Sequence, residues 1–132
     1  MQRCWLILGS VAGFLGVAAG AFGAHGLKAK LSPDLLEVFE TAARYEMVHA
    51  LALLAVGLIG ARSSSRALTV AGWGFAGGIL LFSGSLYVLA LTGERSWGRV
   101  TPLGGVLFLV GWLALAAAAV GLPPQNRQTS LP

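Results

Sequence analysis

CWLILGSVAGFLGVAAGAFGA, residues 4–24, runs for 21 residues without a charged side chain. A helix rises about 1.5 Å per residue, so this stretch is long enough to cross a hydrocarbon core of about 30 Å. It predicts a transmembrane helix. A cleaved signal peptide is the competing reading, because Arg3 precedes the run and Ala21 to Ala24 resembles a small-residue cleavage site; the run is long for the apolar region of such a peptide.

The pattern recurs down the chain. Met47–Ala61 is apolar and short by itself, but sufficient once the residues before it are counted. Ala67–Leu91 is uncharged over 25 residues, and Leu103–Leu122 makes a fourth run of 20. The expected fold is an all-α membrane protein with four spans, at about 4–24, 47–61, 67–91 and 103–122, forming one domain over residues 1–122. Pro123 and Pro124 close the last span, and the polar tail 123–132 is expected to be disordered.

Between the first two spans, Ser32-Pro33-Asp34 combines a helix N-cap, a proline suited to the first helical position and an acid in the first turn. At 100° per residue, Asp34, Glu37, Thr41 and Arg44 fall on one side of the helix that follows, and Leu35, Phe39, Ala42 and Ala43 on the other. An amphipathic interfacial helix over about 33–46 is the expectation.

Composition agrees with a membrane protein and excludes an ordinary soluble domain. Of 132 residues, 56% are hydrophobic and 11% charged, at a mean hydropathy of +0.77; soluble domains carry about 25% charged residues. The net charge is +4, but the nine Lys and Arg are scattered over short segments and form no basic stripe, which argues against nucleic acid and for topology and headgroup contacts. Cys4 is the lone cysteine, so neither an internal disulfide nor a cysteine zinc site is available. Four spans put both termini on one side with Arg3, Arg62, Arg66 and Arg127, leaving Lys28, Lys30, Arg44, Arg95 and Arg99 on the other. The count is balanced. The tight Arg62–Arg66 hairpin and the dominance of the first helix favour cytoplasmic termini.

Four blocks in order, Gly20–Leu27, Thr41–Leu51, Phe82–Tyr87 and Thr101–Gly105, resemble domain-of-unknown-function family 423, small bacterial inner-membrane proteins similar to the eukaryotic transmembrane protein 256. The resemblance covers about residues 5–120. It implies a multi-pass protein of the bacterial inner membrane with four helical spans, and no reaction. Glu46 stands where relatives are expected to carry an uncharged Gln or a His, so the resemblance assigns that carboxylate no role.

Small residues mark two helix faces. In the first span, Gly9 and Gly13 are four apart, and Ala12, Gly16, Gly20 and Ala24 continue at the same spacing; in the third, Gly74 and Gly78 share a face with Ser85. Such stripes let helices approach closely, and the plain expectation is that these two spans pack on each other, with an oligomer interface or a pore lining as other uses. Among ionisable groups, Glu46 falls on the apolar side beside Phe39, Ala42, Ala50 and Leu53, with His49 one turn later and in reach for a hydrogen bond. With His25 and Tyr87 they form a candidate polar cluster at the outer interface, leaving only hydroxyls such as Ser10 and Ser83 deep in the membrane.

No nucleophile elbow, phosphate loop, HExxH or acid–base carboxylate pair is present, so no catalytic residue is assigned. No metal or cofactor is expected either. Three readings follow: a non-catalytic membrane protein with a packing, assembly or lipid-phase role, whose partners are membrane lipid and a homo-oligomer or larger membrane complex; a small oligomeric transporter or channel; or a cofactor-bearing subunit using His25 and His49.

Overall fold

A computed structural model describes residues 1–124, and within them each apolar run is helical. The helices are α1 (Gln2–His25), α2 (Pro33–Gly60), α3 (Arg66–Thr92) and α4 (Thr101–Val120), the last preceded by a 3-10 turn over Arg95–Arg99. Four helical segments are long and apolar enough to cross a membrane, and no strand occurs among the described residues. The disordered tail expected over 123–132 lies, from residue 125 on, outside the described residues.

The region 33–46 is not a helix of its own. It forms the first half of α2, a single helix of 28 residues, because no Gly or Pro interrupts the chain between Asp34 and Val56. Ser32 is the N-cap in extended conformation and Pro33 opens the helix, as anticipated, but the Ser32 hydroxyl donates to the Asp34 carboxylate at 2.6 Å rather than capping a backbone N–H. Asp34 also accepts from Arg95 at 2.6 Å, tying the start of α2 to the connection between α3 and α4. At about 1.5 Å per residue α2 is about 42 Å long, well beyond the hydrocarbon thickness of about 30 Å.

In α3 the Ser65 side chain caps the helix by accepting from Leu68 N–H at 3.1 Å. Residues Ile79–Ser83 form a π-helical turn within it, and the buried Ser83 hydroxyl donates to the Ala42 carbonyl of α2 at 2.8 Å. The helix stops at Gly93, whose φ of 72° lies in the left-handed region that glycine enters without steric penalty.

Packing follows chain order: α1 lies chiefly on α2 and α4 chiefly on α3, while α2 and α3 join the two pairs. The two glycine faces therefore do not meet each other. A Cβ on Gly16 would stand 2.7 Å from Met47 Cγ of α2, and one on Gly9 2.9 Å from the Ala50 carbonyl oxygen. Gly74 faces Gly111 of α4, where a Cβ would come within 2.9 Å of its Cα, and Gly78 faces the Phe108 ring. Gly20 is looser, its nearest neighbour being Met47 Cε at 4.0 Å. The reason is that Ala50 and Gly111 put a second small residue across from each stripe, and backbones approach most closely where both sides lack bulk. Contact between α1 and α3 comes instead from Trp5, whose ring covers Gly72 and meets Trp73 edge-on at 5.3 Å. Leu53, Val56, Ala71 and Phe75 complete the core around it.

Candidate functional site

Because α2 is one helix, its centre lies near Glu46 rather than near residue 54, the middle of the expected short span. Glu46 is level with Gly16, where an added Cβ would stand 3.0 Å from Glu46 Oε2. Gly16 is nine residues before His25 and thirteen after Arg3, so about 14 Å of helix separates the carboxylate from the nearer end of α1. His49 sits among Phe75, Phe108 and Trp112, also well inside α3 and α4. Glu46 thus lies level with the middle of α1, and His49 level with the interiors of α3 and α4, rather than at helix ends.

Nor do they pair with each other. Glu46 is buried, and its Oε2 accepts from the Tyr87 hydroxyl of α3 at 3.3 Å. His49 points to the other neighbour: Trp112 Nε1–H donates to His49 Nε2 at 3.1 Å, and His49 Nδ1 lies 2.7 Å from the Tyr45 carbonyl oxygen one turn back. An Nε2 that accepts leaves the proton on Nδ1, which then donates to Tyr45, so the ring is a neutral tautomer with both nitrogens in use. Phe108 stacks on it at 3.5 Å and 7° between planes. His25 is exposed at the end of α1 and its ring makes no hydrogen bond among the described residues. The four residues of the expected cluster therefore divide into the pair Glu46–Tyr87, a separate His49 arrangement, and His25 alone.

Glu46 and Tyr87 stand at the inner end of a cleft of about 500 Å³ between α1, α2 and α3. Leu15, Ala18 and Phe22 of α1 form one wall and Phe39 of α2 another; Phe39 and Tyr87 meet edge-on at 5.0 Å. Among the described residues the second carboxylate oxygen, Oε1, makes no hydrogen bond, and since no fully buried side-chain N or O atom there lacks a partner, Oε1 keeps some exposed surface; Glu46 is one of the residues lining the cleft. A second cleft, of about 450 Å³, lies on the far side of α2 against α4, with Arg44 on its edge and the His49 and Trp112 rings in its wall. No group of three or more His, Cys, Asp or Glu side chains converges among the described residues.

Two hydrogen bonds were not anticipated from sequence, that of Trp112 to His49 and that of Ser85 to Thr101. Trp112 carries an indole N–H in the middle of an apolar run, where an acceptor is needed, and that need was the available signal. Ser85 and Thr101 share a hydrogen bond of 2.6 Å that links α3 to α4, and nothing in their spacing marks it.

Residues 19–105 match the family described as protein of unknown function DUF423. A UPF0382 membrane protein of Staphylococcus epidermidis is 48% identical over 119 residues, which cover 90% of this chain and 97% of that relative. One from Staphylococcus saprophyticus is 51% identical over 114 residues, 86% of this chain and 94% of its own. The UPF0382 membrane protein YwdK of Bacillus subtilis is 44% identical over 120 residues, 90% of this chain and 98% of its own. No solved structure matches. With most of the chain inside the match, and relatives of this identity along nearly their whole length, the protein belongs to the DUF423 family, membrane proteins of unknown function.

Proposed function

We propose that this is a non-catalytic protein of the bacterial inner membrane that acts on the lipid phase, receiving a molecule dissolved in the bilayer into the cleft between α1, α2 and α3. The observation that carries this reading is a buried carboxylate, Glu46, among the residues that line an apolar cleft, with one of its oxygens free of hydrogen bonds among the described residues. Ionisable groups within spans are costly unless they face partners or a ligand, and Tyr87 supplies one hydrogen bond where a carboxylate has room for several. Ala18 is exposed on the cleft wall, so Ala18→Trp fills the cleft without entering the core. Native mass spectrometry on protein extracted in mild detergent should detect a retained small molecule in the wild type and lose it in Ala18→Trp, at an unchanged unfolding temperature. Wild-type protein that retains nothing, or an Ala18→Trp variant that retains as much, would end this reading.

A small transporter is the second reading, favoured by the depth of Glu46, since proton-coupled carriers place an ionisable residue within the span; substrate flux into liposomes separates the two. Both readings take the termini to be cytoplasmic, with the first turns of α2 at the opposite membrane surface, where Asp34 meets Arg95. In a Cys4→Ser background, a cysteine at Lys30 should react with an impermeant thiol reagent in intact spheroplasts, and one at Ser64 should react only after lysis. The reverse pattern inverts the orientation.

A further inference from the structure

The cleft that holds Glu46 has a chemistry of its own, and this inference rests on reading it as a binding place. Its inner end carries one carboxylate, and its walls carry the rings of Phe22, Phe39 and Tyr87 among aliphatic side chains. Among the described residues no Lys, Arg or His lines it. A carboxylate in a medium of low dielectric attracts a cation far more strongly than it does in water. Aromatic faces add attraction for cations, including those that donate no hydrogen bond. From these residues we infer that the cleft takes a small lipophilic organic cation, an amine or quaternary centre carrying apolar groups, with its charge against Glu46 and its apolar groups among the rings.

A phospholipid with an amine headgroup carries a positive charge too, but it fits less well. Its phosphate would enter a cleft to which the described residues offer no basic side chain, and an unpaired anion there is costly. Glu46 also lies about 14 Å of helix from the nearer end of α1, whereas a lipid headgroup stays at the interface. Tyr87 holds only Oε2, so a cation bound at Oε1 need not displace the existing hydrogen bond.

Equilibrium dialysis of the full chain in detergent with tetraphenylphosphonium tests this, with tetraphenylborate as a probe of matched shape and opposite charge. The wild type should bind the phosphonium saturably and the borate at least tenfold more weakly. Glu46→Gln should lose tenfold or more of the phosphonium affinity, while Glu46→Asp, which keeps the charge, should lose less. Glu37→Gln, an exposed carboxylate on the same helix, should change nothing. Equal binding of both ions by the wild type overturns the inference even if the Glu46 variants fail to fold, and so does phosphonium binding that Glu46→Gln leaves intact. A wild type that retains a native molecule displaced by Ala18→Trp, yet does not bind the phosphonium, shows the ligand class to be wrong while the cleft stands. Failure of both means that the cleft is not a binding site.

Discussion

Gly104→Ala is expected to destabilise the protein by about 3 kcal/mol, the upper end of what overpacking costs, read as a lowered midpoint of unfolding in a denaturing detergent. A Cβ at this position would stand 2.3 Å from the Phe82 backbone nitrogen and 2.7 Å from the Phe82 Cα. Neither atom belongs to a side chain that can rotate away, so relief requires α4 to move off α3 at the π-helical turn. Gly84→Ala is the matched control, since nothing lies within 4 Å of its added methyl. In a helix that substitution should be neutral or stabilising by up to about 1 kcal/mol. If the two variants unfold alike, the close approach of α4 to Phe82 does not exist.

His49→Leu is expected to cost about 2 kcal/mol. It removes the ring stacked on Phe108 at 3.5 Å and takes the acceptor from the Trp112 indole N–H; a stranded polar group costs about 1–3 kcal/mol. Trp112→Phe should cost less, because the lost donor leaves only a ring nitrogen unfilled. The double variant should be more stable than the sum of the two losses implies by about 1 kcal/mol, within the range measured for hydrogen bonds between membrane helices. A double-mutant cycle checks this. Strict additivity would mean that the two rings merely pack. The cycle also bears on cofactor chemistry, for which His49 has no free ring nitrogen while this hydrogen bond persists.

Charge spacing along the chain carries most of the architecture. A helix in lipid satisfies its own backbone, so uncharged runs long enough to cross the bilayer must be helices whatever surrounds them. This is why the four spans, the Arg62–Arg66 connection and the start of α2 at Pro33 were readable from residues alone. The small-residue stripes were readable as contact faces for the same reason, since the absence of bulk at Gly16, Gly74 and Gly78 is a property of the sequence.

What covers each face was not readable. A stripe of glycines on α1 records that something comes close, but α2 and α3 are equally possible partners until the bundle is assembled, and α2 takes the place because Ala50 lies opposite Gly9 and Gly13. Likewise the helical wheel puts Glu46 and His49 about 60° apart, close enough to suggest a pair. In the bundle α2 is the most buried helix, with α1 on one side and α3 on the other, and the Phe108 and Trp112 side chains of α4 reaching its His49. That modest angle therefore divides the two residues between different neighbours, sending the carboxylate to Tyr87 and the imidazole to Trp112. The sequence by itself determined that this chain is four helices long and apolar enough to cross a membrane, with an ionisable residue on an apolar face; only the tertiary structure decided that residue's level against its neighbours and its partner, because both depend on where neighbouring helices stand, and a local pattern carries no record of them.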